Sequence, residues 1–163
     1  ISVVRYGNVM GSRGSVIPFF LKQKDSGQIP ITHEEMTRFS ISLDEGIDMV
    51  VWSLGNGLGG EIFVPKIPSY RITDVAKAIA PDAELKIVGI RPGEKLHEEM
   101  ISTTDSLNTF DLGDYFAILP SWKQDFFNTY LEKGAKQVPF GFSYESSTNP
   151  DFLSVAQLQK LIL

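Results

Sequence analysis

The chain opens on an apolar, β-branched segment, Ile1–Val9, which leads into a glycine-rich stretch, Gly7–Ser15, and then into a predicted helix. β-Branched strands of this kind are typical of parallel sheets, where a strand has neighbours on both sides and both of its faces are covered. A glycine-rich turn between such a strand and a helix lies where parallel-sheet proteins bind ligands. This order predicts an α/β fold. It leaves two readings open: an edge strand that opens a domain, or the rear part of a longer protein.

Strands and helices are predicted to alternate along the rest of the chain. Ser15, with Pro18 in the first turn, is expected to begin a helix that runs to about Asp25. A capping box at Ser42 begins a second helix, in which apolar residues at positions 47, 50, 51 and 54 have the spacing of one helix face. Further strands are expected at 29–32, 61–65, 85–90 and 115–119, and further helical segments at 73–80, 94–100, 121–133 and 154–162. This alternation is typical of α/β and α+β proteins.

Composition narrows the possible functions. The 163 residues carry a net charge of −5 with scattered basic residues, which argues against a nucleic-acid surface or a polybasic membrane patch. The absence of cysteine excludes disulfides and thiolate metal sites and suits a reducing cytoplasm. No apolar run approaches the ~20 residues of a membrane-spanning helix. His33 and His97 lack the spacing of a zinc site. We therefore expect a soluble, cytoplasmic protein without a metal site.

The stretch Gly7–Ser15 is the first candidate for ligand binding. Its glycines let the backbone approach a ligand, Asn8, Ser12 and Ser15 offer hydrogen bonds, and Arg13 offers a fork that matches phosphate. The alternative is a tight strand-to-helix turn with an exposed arginine. By contrast, residues 55–60 match G-x-G-x-x-G, but they follow a helix and precede a strand, the reverse of a dinucleotide-binding fingerprint. We expect that segment to be a plain connecting turn.

The second candidate is the turn Gly89–Lys95. It holds Arg91 and Glu94 three residues apart, a pair suited to a diphosphate and a sugar diol, although a surface turn with solvated charges is the alternative. Arg38 lies among apolar residues and either binds an anion or makes structural hydrogen bonds. Tyr144 is a lone aromatic in a polar loop, where packing against the core is the simplest role.

Four longer runs carry a resemblance to a known family. They are RYGNVMGSRGSVIPFF, PITHEEMTRFSISLDEG, GGEIFVPKIPSYRITDVAKAIAP and GIRPGEKLHEEMI. Together they resemble inverting UDP-N-acetylglucosamine 4,6-dehydratases, a branch of the extended short-chain dehydrogenase/reductase superfamily, from residue 1 to about 149. The resemblance covers the C-terminal half of such an enzyme. It implies the last strands of a Rossmann-type parallel sheet at 1–28 and 40–66, and a smaller mixed α/β substrate-binding domain at 29–39 and 67–163.

The resemblance also implies a reaction. In the family, NADP⁺ takes hydride from C4 of the sugar, water is eliminated across C5 and C6, and hydride returns to C6. The product, UDP-2-acetamido-2,6-dideoxy-β-L-arabino-hex-4-ulose, is inverted at C5 and enters the pathway to pseudaminic acid. The family's front half carries the dinucleotide fingerprint, a Tyr-x-x-x-Lys pair and further acid/base groups. In this chain no tyrosine is followed four residues later by lysine, so we expect no catalytic residue within it.

The family's pattern assigns binding roles to particular positions. It implies that Asn8 contacts the nucleotide sugar, Val16 and Thr32 contact its uridine part, Arg91 pairs with the diphosphate and Glu94 with ribose hydroxyls. Tyr144 resembles the family's last substrate contact. The positions implied to line the nicotinamide end of NADP are Val9, Met10, Gly11, Ser12 and Arg13.

Three functions are consistent with these observations. The first is the substrate-binding half of a lyase, a sugar-nucleotide dehydratase that is inactive without its front half. The second is a free-standing nucleotide-sugar binding or regulatory module, and the third is a purely structural assembly domain. In the first case the opening strand lacks a sheet neighbour, so we expect a homo-oligomer that covers this edge, including by exchange of segments.

Overall fold

The structure is a computed structural model that describes residues 1–162 and the side chains of all of them except Gln124. Within this range the strands are β1 (Val3–Val4), β2 (Asn8–Val9), β3 (Gln28–Ile31), β4 (Thr37–Ile41), β5 (Ile62–Pro65), β6 (Ser69–Arg71), β7 (Glu84–Ile87), β8 (Glu99–Ile101), β9 (Thr109–Asp111), β10 (Tyr115–Ile118), β11 (Lys136–Gln137) and β12 (Tyr144–Glu145). The α-helices are α1 (Val16–Gln23), α2 (Leu43–Asn56), α3 (Ile72–Ile79), α4 (Gln124–Glu132) and α5 (Val155–Ile162). None of the helices described in residues 1–162 combines the length and the apolar character needed to cross a bilayer.

The chain divides into two compact units. The first unit contains Ile1–Tyr6, Leu43–Lys66 and Glu99–Glu145, and the second contains Gly7–Ser42, Ile67–Glu98 and the chain from Ser146 onward. This grouping differs from the predicted boundaries, because residues 99–145 cluster with the segments around β1 and β5. The assignment of 1–28 and 40–66 to a Rossmann remnant stays a prediction.

The first unit is built on a five-stranded mixed sheet. Its order is β1-β5-β10-β9-β11, with β1 parallel to β5 and the other pairs antiparallel. A second, two-stranded antiparallel ladder joins β8 and β12. The core of this unit contains Met49 from α2, Phe63 from β5, Phe110 from β9 and Tyr130 from α4.

The second unit combines two small sheets with three helices. The strands β2 and β4 are parallel, β6 is antiparallel to β4, and β3 pairs with β7 in parallel. Its core joins α1, β3, α3 and α5 through Phe20, Ile31, Val75 and Leu158, each of them fully or almost fully buried. Parallel and antiparallel pairs alternating with helices confirm the predicted α/β fold class.

The predicted opening strand is two strands rather than one. Between β1 and β2 the chain leaves the first unit, and Gly7 lies so close to Phe39 that a Cβ added there would come within 2.5 Å of the Phe39 Cβ. Only glycine can occupy that position without displacing β4. The apolar run was correctly identified, but this close approach is a tertiary contact that sequence periodicity does not report.

Helix α2 lies where the sequence predicts it, but it does not bury its apolar face. The residues with the spacing of one helix face, Ile47, Val50, Val51 and Leu54, are 41–82% exposed, and the helix instead buries Gly46, Met49 and Ser53. Met49 fills the core of the first unit, and Ser53 Oγ donates to the Met49 carbonyl (2.6 Å). Apolar spacing therefore identified the helix, but it could not distinguish a face turned to the core from one turned to solvent.

Three other local predictions have different outcomes. The predicted helical turn at 94–100 is wrong, because this segment is non-helical and ends in strand β8. The capping box before α5 is confirmed, since the Ser154 amide donates to Gln157 Oε1 (2.9 Å) and the Gln157 amide donates to Ser154 Oγ (3.3 Å). The glycine-rich segment 55–60, which matches G-x-G-x-x-G, connects α2 to β5, as expected for a plain turn.

Candidate functional site

A cavity of about 790 Å³ lies within the second unit. Its wall includes five of the six positions singled out for substrate binding, namely Asn8, Val16, Thr32, Arg91 and Glu94. These residues come from the first residue of β2, the start of α1, the residue after β3 and the turn after β7, and together they span 87 residues of the sequence. The fold therefore brings together residues that the sequence presents as separate motifs.

Asn8 is held at this cavity by a tyrosine from β6. Its side chain is hydrogen-bonded to the Tyr70 phenol, which also lines the cavity. Burial raises the pKa of Tyr70 to about 12, so the phenol stays protonated throughout the neutral range. Sequence reasoning could not identify Tyr70, because its proximity to Asn8 depends on the antiparallel pairing of β4 with β6.

The start of α1 contributes an unsatisfied polar group. Ser15 lies in the cavity wall, and its Oγ is buried without a hydrogen-bond partner among the described residues. The first turn of α1 carries no acidic side chain. Free N–H groups and the helix dipole make such a terminus favourable for an anion. A ligand oxygen at this end would satisfy both the hydroxyl and the helix.

The turn after β7 presents one positive and one negative side chain. The Glu94 amide donates to the Arg91 carbonyl (3.0 Å) and the Arg91 amide donates to Glu94 Oε2 (3.3 Å), which closes the turn. The Arg91 guanidinium itself makes no hydrogen bond or ion pair within residues 1–162 and is exposed at the cavity. It is therefore available to an anionic ligand.

Arg38 holds this turn in place through hydrogen bonds. Of the two roles that the sequence left open, anion binding and structural hydrogen bonding, the structure shows the second. Its guanidinium donates to the carbonyl oxygens of Thr37 (2.7 Å), Leu96 (3.0 Å) and Lys95 (2.8 Å). The Glu94 and Glu98 carboxylates lie 3.8 and 3.9 Å from the guanidinium. All three guanidinium nitrogens are thus engaged. Arg38 lines the cavity but acts by holding the segment that carries Arg91 and Glu94.

Glu98 is a second partly buried charge of this region. Burial raises the pKa of its carboxyl, and this effect exceeds the opposing effects of the Phe39 amide, which donates to Glu98 Oε2 (2.9 Å), and of the Arg38 charge. The carboxylate therefore connects β4 to the segment after the Arg91 turn. Sequence reasoning overlooked Glu98 because an acid beside a histidine and another acid gives no sign of burial.

The five positions assigned to the cofactor form the turn between β2 and α1. Val9 pairs with Ile41 in β4, the Met10 amide donates to the Ile41 carbonyl (2.9 Å), and Gly11 has a positive φ of 71°. The described wall of the 790 Å³ cavity does not include Val9, Met10, Gly11, Ser12 or Arg13. They belong to the second unit outside this cavity wall, and their sequence neighbours Asn8 and Gly14 are part of the wall.

Tyr144, the sixth substrate position, belongs to the first unit. It lies in β12, opposite Ile101 of β8, and its ring centroid is 5.4 Å from that of Phe116. The side chain is only 8% exposed. Packing is thus its visible role, and its assignment to substrate stays a prediction.

Comparisons with known proteins agree on one family. The profile described as "Polysaccharide biosynthesis protein" matches residues 1–120. The chain is 52% identical, over 99% of its length, to half of a UDP-N-acetylglucosamine 4,6-dehydratase (inverting) from Campylobacter jejuni serotype O:23/36, strain 81-176. It is 37% identical over its whole length to 49% of a UDP-glucose 4-epimerase from Rickettsia akari.

Among solved structures, the X-ray structure of Pen from Bacillus thuringiensis has the same fold. The TM-score is 0.83 at 32% identity, and the match covers 99% of this chain and 49% of Pen. The chain thus spans about half the length of the curated relatives and of the solved structure that it matches. With a profile match over most of its residues, this chain belongs to the polysaccharide biosynthesis protein family.

Proposed function

We propose that this chain is the substrate-binding half of an NADP-dependent UDP-N-acetylglucosamine 4,6-dehydratase that inverts C5. The observation that carries the proposal is the convergence of Asn8, Val16, Thr32, Arg91 and Glu94 on one cavity. The relatives favour a dehydratase over an epimerase, since identity is 52% to the former and 37% to the latter. Cytoplasmic location and a product that feeds pseudaminic acid synthesis belong to the same proposal.

Each side chain has a binding role that its chemistry supports. The Arg91 guanidinium, which has no hydrogen-bond or ion-pair partner within the described residues, forms charge-assisted hydrogen bonds with the diphosphate, and Ser15 at the start of α1 adds a hydroxyl to the same anion. Glu94 accepts hydrogen bonds from the ribose hydroxyls, while Val16 and Thr32 contact the uracil end. Asn8, fixed by Tyr70, hydrogen-bonds the sugar. These residues orient the substrate, and correct orientation is itself a large contribution to rate.

The proton and hydride chemistry belongs to residues that this chain does not contain. NADP, when bound, supplies hydride exchange with the sugar. Gly11 is exposed and has a positive φ of 71°, so the backbone of this turn is accessible to a ligand. Val9 to Arg13 fit that role as one wall of the cofactor site. The chain's own contribution is to hold C4 to C6 of the sugar in a fixed position beside it.

Calorimetry with UDP tests the binding role directly. Arg91→Ala should weaken UDP binding by about 10-fold or more, because a charge-assisted hydrogen bond contributes about 1.5–3 kcal/mol. Lys77→Ala is the matched control: it removes one positive charge from the second unit at a position outside the cavity wall. Equal affinities for wild type and Arg91→Ala, or no UDP binding by either, would contradict the proposal.

The free-standing binding module remains the second candidate, and it predicts the same binding. The two candidates differ in whether adding a catalytic front half produces enzymatic activity. A front half from a relative, carrying Tyr-x-x-x-Lys, should produce 4-keto sugar when mixed with this chain only if the chain is half of an enzyme. Absence of product from a mixture in which both halves are folded and associated would favour the module.

A further inference from the structure

Another cavity, of about 540 Å³, lies in the first unit, and its wall is rich in positive charge. Its wall is formed by α2, the end of β5, the turn between β9 and β10, and the segment from α4 to β11. Lysines 66, 133 and 136 line it together with a single carboxylate, that of Asp111, so the charged side chains of the wall sum to +2. The whole chain has a net charge of −5, which makes this concentration of positive charge a local feature.

Two of the three ammonium groups are not held by a direct hydrogen bond or ion pair, although the charge of Lys136 helps to lower the pKa of the Asp111 carboxyl. Lys66 Nζ is committed, since it donates to Asp111 Oδ1 at 2.7 Å. The ammonium groups of Lys133 and Lys136 form no hydrogen bond or ion pair with any residue in the described range, and Lys133 Nζ only lies 5.8 Å from the centroid of the Tyr130 ring. Two like charges facing one cavity repel each other, so an anion between them would be stabilising.

Capping of α4 does not explain these lysines. The backbone itself closes this helix end: the Gly134 amide donates to the Leu131 carbonyl (2.9 Å) and the Ala135 amide to the Tyr130 carbonyl (3.0 Å). Gly134 has the positive φ, 85°, that such a closure requires. The Tyr130 and Leu131 carbonyls are thus paired by the backbone, and the lysine side chains remain available to a ligand.

We propose that this cavity binds a small phosphorylated metabolite, such as a sugar phosphate, with its phosphate between Lys133 and Lys136. A phosphate dianion matches the two uncompensated charges. The volume lies within the range of small-molecule sites and exceeds what a phosphate alone would fill, so an organic part is accommodated as well. Trp52 offers that part a rigid surface, because it is stacked on Tyr115 at 4.3 Å and meets Phe63 edge-on at 5.2 Å.

The inference is independent of the proposed function. Every residue of this wall belongs to the first unit, and every residue of the 790 Å³ cavity belongs to the second. A ligand here therefore needs neither Arg91 nor Ser15. Loss of one site should leave binding at the other intact.

Tryptophan fluorescence tests the site, because the chain has two tryptophans and only Trp52 lines the cavity. In a Trp122→Phe background, Trp52 emission should change saturably on titration with inorganic pyrophosphate and with glucose 1-phosphate. The pair Lys133→Gln and Lys136→Gln should weaken both affinities about 10-fold or more. The double variant Lys133→Arg and Lys136→Arg conserves both charges and should retain binding. Retained binding would show that the region tolerates substitution at both positions.

Two further variants separate this site from the other cavity. Lys77→Gln and Arg91→Ala should leave the pyrophosphate titration unchanged, because neither residue belongs to the first unit. The proposal is overturned if the Lys133 and Lys136 glutamine variant binds as well as the parent. It is also overturned if Arg91→Ala abolishes the signal, or if neither probe gives a saturable change.

Discussion

Glu61 is a fully buried carboxylate at the centre of the first unit, and its hydrogen bonds decide its ionisation. Burial raises the pKa of a carboxyl, but at Glu61 this is outweighed by donors that lower it: Ser2 Oγ (2.7 Å), the Leu58 amide (2.6 Å) and Tyr130 Oη (3.0 Å). The pKa of Glu61 therefore lies below its usual value. The charge links β1, the turn before β5 and α4, three segments far apart in sequence.

A lowered pKa makes this carboxylate a pH-dependent source of stability. The contribution should be fully present above the ordinary carboxyl pKa and lost as the pH falls through the lowered value. At neutral pH, Glu61→Gln should reduce the free energy of unfolding by about 2 kcal/mol, since one amide cannot accept all these hydrogen bonds. Urea unfolding at several pH values measures this. A difference between wild type and variant that does not shrink with acidification would contradict it.

Tyr70 is predicted to position Asn8 rather than to touch the nucleotide. Tyr70→Phe removes the partner of the Asn8 amide, so UDP-N-acetylglucosamine should bind about 2- to 12-fold more weakly while UDP binding stays unchanged. Calorimetry with both ligands separates the two effects. Equal losses for UDP and the UDP-sugar would mean that Tyr70 acts through the fold alone.

At the scale of elements, α2 carries an apolar stripe that faces solvent. Leu43, Ile47, Val51 and Leu54 recur along one side of the helix, and Leu54 is 82% exposed. Next to α2 in the first unit, β1 pairs only with β5 and leaves its other edge open within the described sheet. Contiguous apolar surface and an open strand edge both favour association.

We therefore predict that the isolated chain self-associates and that Leu54→Lys weakens this association. Because Leu54 is exposed, the free energy of unfolding should change by no more than about 0.5 kcal/mol. Leu131→Lys, the same substitution at an exposed position of α4, is the control and should leave association unchanged. Sedimentation velocity over a range of concentrations gives the result. A monomer at every concentration would contradict the prediction.

The same helix shows how far sequence reasoning reaches. Local signals predicted what local interactions determine, such as α2 itself, the Ser154 capping box before α5 and the turn that holds Arg91 and Glu94. What failed depends on tertiary contacts. Apolar spacing could not reveal that α2 turns Met49 to the core, nor could composition reveal that Glu98 accepts a hydrogen bond from the Phe39 amide of β4.

At the scale of the whole chain, the proposed binding residues are present, but the acid/base pair expected for the chemistry is not. The groups around the 790 Å³ cavity are those that we propose to bind a nucleotide sugar, and no tyrosine of the sequence has a lysine four residues on. A neutral tyrosine without such a neighbour is a poor general base, and Tyr70, with its pKa raised to about 12, is a still poorer one. We therefore expect these 163 residues to bind the UDP-sugar without converting it.

That expectation is tested by following UDP-N-acetylglucosamine and NADP⁺ with the isolated chain by NMR. Uridine resonances should show saturation transfer from the protein, while the sugar signals stay unchanged over many hours. The full-length Campylobacter relative is the positive control for product formation, and Arg91→Ala should remove the saturation transfer. Formation of a 4-keto sugar by this chain alone would mean that it contains an acid/base group outside the Tyr-x-x-x-Lys pattern, and the division between binding and chemistry would be wrong.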